Sequence, residues 1–172
     1  MKEIIELLEN DHKIIADKIA DLKRLMSLDP ETSFSQIATD LAFFQDFTFK
    51  GHHLREDEIL YTWMRLQNPK SDTAVMDRIK NEHTHLEKLG TKILISVQNY
   101  QKNTPDSSIV TIISNLNDFI NLYIEHMEKE EKFIFMIAEG LRLSKNEKKA
   151  MLKKMQSSLK DAQQTTLDSP TK

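Results

Sequence analysis

The chain has 172 residues, of which 30% are charged, and its formal net charge is -3 at pH 7. This length predicts one domain with a sizeable core, and the even mixture of acidic and basic residues argues against nucleic acid or a membrane as a partner. The lack of cysteine excludes disulfides and thiolate ligands, so a metal must be bound through nitrogen and oxygen. Three glycines and four prolines favour long helices over sheets. No run approaches the roughly twenty apolar residues of a membrane span, and a cytoplasmic location is expected.

Two amphipathic helices are predicted in the first part of the chain. Over residues 3–27, apolar side chains recur at alternating spacings of three and four, and His12 occupies one place in that series. A proline break at residues 29–30 ends this helix, and Ser33, with a glutamine three residues later, offers a capping box for a second helix that reaches Gln67. The predicted stripe of the second helix is Ala38, Ala42, Phe49, His52, Glu56, Ile59 and Trp63.

Two more long helices are predicted in the middle of the chain. Ser71 caps one of them over residues 71–100, and its apolar stripe includes His83. Pro105 opens the next, because proline suits a first helical turn, and Gly140 ends it. The predicted stripe of this fourth helix is Ile112, Leu116, Phe119, Tyr123, His126, Glu130, Phe133 and Ile137.

A short lysine-rich helix follows, opened by a capping box of Ser144 and Glu147. Four long amphipathic helices with short connections pack most economically as an antiparallel up-down-up-down bundle. The predicted fold class is therefore all-α: a four-helix bundle over residues 1–140, a short C-terminal accessory helix over residues 141–164, and a disordered tail over residues 165–172.

Histidines interrupt all four apolar stripes. Counted from the predicted turns, they lie at similar depth, to within one or two helical turns. One histidine on an apolar face is usually a hydrogen-bonded core residue. Here four of the six histidines have Asp or Glu four residues later, where about one is expected by chance. Residues i and i+4 share a helix face, so imidazole and carboxylate can converge on one cation. That cation removes the several kcal/mol that a bare buried glutamate costs.

The second and fourth helices repeat each other. Aligning His52 with His126 gives the shared form H-x3-E-[DE]-x-[IF]-[IL]-[YF]. Two such helices, related by an approximate two-fold axis, would each present one histidine and one bridging carboxylate, Glu56 in one and Glu130 in the other. This arrangement is expected of a site for two metals.

These motifs are His12, HHLREDEILY from His52, NEHTHLE around His83 and HMEKEEKFIF from His126, and together they resemble those of the hemerythrin-like, or HHE cation-binding, domain. The resemblance covers residues 1 to about 140. It implies a four-helix bundle with a non-haem di-iron centre, in which carboxylates and an oxo or hydroxo group bridge two iron ions. The metal ligands that it implies are His12, His52, Glu56, His83, His126 and Glu130, with His53 as a further candidate.

The roles of three neighbouring residues stay open in the sequence. His53 lies about 100° from His52 around the helix, and it is an additional ligand, a hydrogen-bond donor behind the ligands, or a polar flank residue. Asp57 pairs with His53 in a register rotated by one residue, which the repeat argues against. Glu87 stands where the oxygen-carrying hemerythrins have a second histidine, and it is either a ligand or a solvent-edge glutamate. Richer oxygen ligation favours the ferric state and weakens the case for reversible oxygenation.

The favoured function is a di-iron protein that binds or senses iron, dioxygen, nitric oxide or peroxide, with a small diatomic or peroxide molecule as its partner. The sequence does not decide whether it is an enzyme. One alternative is iron storage, delivery or iron-centre repair, and another is a structural bundle without a di-metal site, as a homodimer through the fifth helix. Glu58, Glu128 and Glu131 are expected on solvated faces, and Phe49, Phe119 and Phe133 are expected to control access to the metals.

Overall fold

The protein is all-α, as predicted. The computed structural model describes residues 1–28, 30–67, 74–102 and 108–167, and these residues contain helices and no strand. Four long helices are followed by a C-terminal helix, and the bounds of the three uninterrupted ones are Lys2–Met26 (α1), Ala74–Gln101 (α3) and Lys145–Leu167 (α5). Within the described residues, no helix is both long enough and apolar enough to cross a membrane.

The other two helices contain π-helical segments, in which the turn is widened by one residue. The segments of α2 are Pro30–Phe43 (α), Phe44–His52 (π), His53–Arg55 (α), Glu56–Leu60 (π) and Tyr61–Gln67 (α). The segments of α4 are Ile109–Lys129 (α), Glu130–Phe135 (π) and Met136–Gly140 (α). Each π segment contains, or directly follows, a histidine or glutamate of the two repeated motifs.

The helix ends agree with the sequence in part. α2 begins at Pro30, so the predicted start at Ser33 is wrong; proline is itself a good first-turn residue. The predicted cap at Ser71 and the predicted start at Pro105 lie outside the described residues. The capping box of α5 is confirmed: the backbone N–H of Ser144 donates to Glu147 Oε2 at 2.8 Å, and the N–H of Glu147 donates to Ser144 Oγ at 3.2 Å.

Two apolar clusters fill the interior. α1 packs against α2 and α4, and α3 packs against the same two helices. The Ile19 cluster consists of Ile15, Ile19, Leu22, Leu25, Phe34, Ile37, Leu41, Phe44, Leu86, Ile93, Leu94, Val97, Ile112, Leu116, Phe119, Ile120, Tyr123 and Met127. The Ile4 cluster consists of Ile4, Ile5, Leu8, Leu60, Tyr61, Trp63, Met64, Met76, Ile79, Ile134, Phe135, Ala138, Met151 and Met155.

All four long helices pass through both clusters. α1 and α3 run from the Ile4 cluster to the Ile19 cluster, whereas α2 and α4 run from the Ile19 cluster to the Ile4 cluster. Between the two clusters lies the polar layer, which is defined by the buried side chains of Asp11, His12, His52, His53, Arg55, Glu56, His83, His126 and Glu130. The fifth helix contacts α1 and residues 44–60 of α2, and it adds Met151 and Met155 to the Ile4 cluster.

The predicted stripe of α4 is wrong after Glu130. Phe133 and Ile137 were expected in the core, but they are 52% and 46% exposed, and Ile134 and Ala138 are buried instead. The π segment that begins at Glu130 accounts for the change, since its extra residue rotates everything after it by one position. Phe133 therefore does not control access to the interior.

The predicted stripe of α2 is also wrong, in the part of the helix that precedes His52. Ala42 was expected in the core but is exposed, and Ala38 is only half-buried. Ile37, Leu41 and Phe44 are buried in their place. The predicted stripe assumed α-helical turns throughout, whereas the nine residues Phe44–His52 form a π-helix with wider turns.

Candidate metal centre

The polar layer brings the predicted ligands together in two groups. His12, His52, Glu56 and Glu130 form one group, and His53, His83 and His126 form the other; within each group the donor atoms lie within 4.8 Å of one another. All seven side chains are buried, and both glutamates are fully so. Every one of α1 to α4 contributes at least one member.

Glu130 lies at the middle of the layer. Its Oε2 is 3.3 Å from His12 Nε2 and 3.3 Å from His126 Nε2, and its Oε1 is 3.2 Å from His83 Nε2. Glu56 is similarly placed, because its Oε2 is 3.4 Å from His52 Nε2 and 3.5 Å from His83 Nε2. Both carboxylates therefore contact imidazoles of both groups.

Several of these polar atoms are unsatisfied. In the described part of the chain, neither carboxylate oxygen of Glu56 has a hydrogen-bond partner, and neither do Glu130 Oε2 and His126 Nε2. A buried carboxylate without donors is costly. Four nitrogen or carboxylate atoms that face one another without hydrogen bonds fit a cation well, since a cation accepts all of their lone pairs at once.

The outer nitrogens of four histidines are held by carboxylates. In each case Nδ1–H can donate outward, which leaves the Nε2 lone pair directed into the layer. The pairs are His12 with Glu131 at 2.8 Å, His52 with Asp11 at 3.1 Å, His83 with Asp57 at 3.2 Å, and His126 with Glu82 at 3.2 Å.

Three of these outer carboxylates are themselves tied to a cation. Buried Arg55 donates to Asp11, Lys129 donates to Glu82 at 2.8 Å, and Lys80 lies 3.8 Å from Asp57. Asp11, Glu82 and Arg55 were not predicted from the sequence. The signal for them is weak: an acid directly precedes His12 and His83 in the chain, but an acid beside a ligand on a helix usually lies on the solvated face.

His53 is not a polar flank residue, since it is only 4% exposed. Its Nε2 lies 2.8 Å from the hydroxyl of Tyr123, and its ring stacks on His83 with centroids 3.9 Å apart and planes inclined by 9°. An imidazole binds a metal in the plane of its ring. In this orientation the two rings are nearly parallel, so their lone pairs do not converge on one point, although the donor atoms of His53, His83 and His126 lie close together.

The remaining candidates lie around the layer. Asp57 contacts His83 and not His53, which agrees with the register that the repeat favours. Glu87 and His85 are exposed, and Glu87 belongs to neither group of the described residues. Glu58, Glu128 and Glu131 are exposed as expected, but Glu131 also contacts His12, which the sequence analysis did not anticipate.

Tyr61 makes the two repeats unequal. Its hydroxyl donates to Glu130 Oε1 at 2.7 Å, and its ring stacks on His83. The equivalent residue of the other repeat is Phe135, which stacks on His12 with centroids 5.3 Å apart but has no hydroxyl to offer Glu56. The sequence repeat aligns these two rings, but no role was predicted for either of them.

The pKa values of the two glutamates are displaced in opposite directions. Burial raises the pKa of Glu56 well above its usual range, and the neighbouring Glu130 raises it further. Burial acts in the same sense on Glu130, but the imidazoles of His126, His12 and His83 outweigh it and lower the pKa of Glu130 well below its usual range. In the metal-free protein, folding therefore favours the ionised form of Glu130 and the neutral form of Glu56.

Replacing Tyr61 with phenylalanine is expected to lower the free energy of unfolding of the metal-free protein by about 1.5–3 kcal/mol, because a buried carboxylate loses its phenolic donor. Urea denaturation measures this change. Tyr100→Phe is the matched control; Tyr100 is half-buried and packs edge-on against Phe34 away from the layer, and its change is expected to stay within about 0.5 kcal/mol. Equal losses in both variants would contradict the role given to Tyr61.

One comparison with known proteins gives a match. The model of the family described as hemerythrin HHE cation binding domain matches residues 3–138. That span contains every residue of the polar layer and nearly all of α1 to α4, while α5 lies outside it. No curated protein and no solved structure matches the chain significantly.

Proposed function

Because the chain belongs to the hemerythrin HHE cation-binding domain family, we propose that it binds two iron ions in the polar layer. The observation that carries the proposal is Glu56, a fully buried carboxylate with no hydrogen-bond partner for either oxygen among the described residues. A hydrogen-bonded structural core does not leave such a group bare. A cation between facing imidazoles and carboxylates accounts for it.

Six residues are proposed as the ligands: His12, His52, Glu56, His83, His126 and Glu130. His12 and His52 lie 3.1 Å apart through their Nε2 atoms and would hold one ion. His83 and His126 would hold the other. Glu56 and Glu130 would bridge the two ions, as is supported by their contacts with imidazoles of both groups. His53 stays a predicted ligand, and binding would require its ring to turn away from His83.

The four long helices are proposed to form an antiparallel up-down-up-down bundle around this centre. Their alternating order through the Ile4 and Ile19 clusters supports that arrangement. The two clusters would keep water from both ends of the polar layer. The division of the chain into bundle, accessory helix and disordered tail, the cytoplasmic location and the homodimer stay predictions.

Iron in this layer would supply a redox-active centre able to bind a small molecule such as dioxygen, nitric oxide or peroxide. The chain's own groups set the conditions for it. The four outer carboxylates keep the imidazoles oriented with Nε2 directed inward, and Arg55 holds Asp11 against His52. Tyr61 fixes one oxygen of Glu130, whereas neither oxygen of Glu56 has such a donor among the described residues.

Anaerobic titration with ferrous iron is expected to give two metals per chain, measured by metal analysis after removal of free ions. Glu130→Ala is expected to bind none, and the exposed Glu87→Gln is expected to bind two. A stoichiometry of one would contradict the two-iron centre. Binding of no metal would instead support the alternative of a structural bundle without a di-metal site. Rapid loss of the iron to a chelator would favour storage or delivery over sensing.

A further inference from the structure

We propose that cations reach the centre through the groove between α1 and α4, and that Glu131 is the carboxylate that admits them. The inference rests on the proposed metal binding and adds the route by which the ions arrive. It follows from the location of one groove, from the exposure of four carboxylates and from the ion pairs that these carboxylates make.

The groove has a volume of about 580 Å³ and reaches a proposed ligand. Its lining includes His12, which is only 3% exposed, together with Ala16, Met127, Glu128 and Glu131. Ala16 lies one helical turn after His12 and offers only a methyl group. The two other grooves described in the structure are lined by α5 alone and by α3 alone, and neither touches a member of the polar layer.

Among the four outer carboxylates that contact the predicted histidine ligands, Glu131 is the most exposed to solvent. The side chains of Asp11, Asp57 and Glu82 are 7%, 15% and 17% exposed, whereas the side chain of Glu131 is 49% exposed. Glu131 nevertheless contacts the Nδ1 atom of buried His12 at 2.8 Å. It therefore joins bulk water to the outer nitrogen of a proposed ligand.

Glu131 is also the least constrained of the four. Each of the other three is tied to Arg55, Lys80 or Lys129, but Glu131 has no lysine or arginine within ion-pair distance in the part of the chain that is described. Lys13, which acts on it from further away, donates instead to Asn10 at 3.1 Å. Swinging Glu131 outward breaks one contact, with His12, and His12 keeps its other carboxylate, Glu130, at 3.3 Å.

The equivalent side of the other repeat is closed. Met127 faces the groove, and its counterpart in the repeat is His53, which is fixed by Tyr123 and stacked on His83. The counterpart of Glu131 is Asp57, which is tied to Lys80. Of the two repeats, the one that contains Met127 and Glu131 borders the groove, and the one that contains His53 and Asp57 is closed by these contacts. The groove leads to His12, whose Nε2 lies 3.3 Å from Glu130 Oε2.

The charge at the mouth of the groove suits a cation. Glu9 and Glu128 line it beside Glu131, against a single lysine, Lys13. Carboxylates around a concave surface raise the local concentration of divalent ions. In the proposed sequence, Glu131 takes hold of a cation at the surface and turns inward, and the cation passes to His12 Nε2 and Glu130 as His12 releases a proton to water in the groove.

Stopped-flow mixing of the metal-free protein with Co²⁺ tests the route, since Co²⁺ bound by nitrogen and oxygen donors is followed by its absorption. Glu131→Gln keeps an acceptor for His12 but loses the charge, and Ala16→Met fills the groove. Both are expected to slow loading about tenfold or more while two ions per chain are still bound at equilibrium. The matched controls Glu87→Gln and Thr84→Met lie on exposed positions of α3 and are expected to load like the unmodified protein.

The outcomes separate the route from the function. If both groove variants load at the unmodified rate and to full stoichiometry, the route is wrong and the metal site stands. If the unmodified protein and the controls bind no Co²⁺ and no Fe²⁺, the proposed function itself fails. If Glu131→Gln loses an ion at equilibrium while Ala16→Met loads normally, Glu131 only supports His12 and the route is also wrong.

Discussion

Replacing Glu56 with methionine is expected to stabilise the metal-free protein and to destabilise the protein in the presence of iron. Methionine has a similar length and is apolar, so it fits among buried groups without a desolvation cost. Both oxygens of Glu56 lack partners among the described residues, and burial raises the pKa of this carboxyl, which means that folding works against its ionised form. Removing a buried polar group that lacks hydrogen-bond partners stabilises proteins by about 1–3 kcal/mol.

Iron reverses the sign of this effect. A ligand at a concentration of about one hundred times its dissociation constant stabilises the folded state by about 2.7 kcal/mol for each site. A protein without Glu56 loses a bridging ligand of both ions, and with it this stabilisation. The free energy of unfolding is measured by urea denaturation, once with a chelator and once under anaerobic ferrous iron.

Glu87→Met is the matched control, because Glu87 is exposed and its substitution is expected to change stability by less than about 0.5 kcal/mol under either condition. A structural core without metals predicts a different pattern, in which Glu56→Met gives the same change with and without iron. A loss of stability in the chelated protein would show that Glu56 has a partner that its surroundings do not reveal.

The metal-free protein is also expected to lose stability as the pH rises from about 6.5 to about 9. Burial acts to lower the pKa of both His12 and His83, but hydrogen bonds to carboxylates outweigh burial and raise each pKa from 6.5 to about 9. A group whose pKa is raised by folding stabilises the protein below its unfolded pKa and loses that contribution as pH rises through its folded pKa. Each imidazole contributes up to about 3 kcal/mol, and the two contributions are less than additive because both depend on Glu130.

His52 is expected to lower the stability of the metal-free protein at acid pH. Burial lowers its pKa to about 4, against the opposing effect of Asp11. A neutral buried histidine contributes most above its unfolded pKa, and this contribution is lost as the pH falls from about 6.5 to about 4. The stability of the metal-free protein is therefore expected to be greatest near neutral pH and to fall on both sides.

Iron is expected to change the alkaline limb of this profile. Imidazoles must be deprotonated to bind a metal, so binding strengthens as pH rises over the range in which the metal-free protein weakens. Denaturant midpoints measured between pH 5 and about 9, with chelator and with iron, give both profiles. A metal-free protein whose stability is constant from pH 6.5 to 9 would contradict the protonated state assigned to His12 and His83.

The grouping of the buried histidines and glutamates was predicted better than the helices around them. His12, His52, Glu56, His83, His126 and Glu130 are brought together as expected, since i,i+4 pairs on amphipathic helices leave few other places for a buried imidazole and carboxylate. The family match over residues 3–138 agrees with the resemblance drawn from the same motifs.

The errors have two physical sources. The stripes of α2 and α4 were counted with one helical period, and a widened turn at a functional site changes that period without a distinct residue signature. The outer carboxylates were missed for another reason. Asp11 and Glu82 look like ordinary solvated acids in sequence, and only the packing of neighbouring helices places them against a histidine. Arg55 is buried because Asp11 of another helix meets it.

The widened turns have a consequence for how this protein can vary. In a helix of uniform pitch, the direction of Glu130 would fix the direction of every side chain after it. A change of direction at one end of α4 would then change the direction of side chains at the other end. The segment Glu130–Phe135 breaks that link. The residues that face the proposed cations can therefore point in one direction around the helix while the core residues after them point in another. Substitutions in either set need not change the direction of the other.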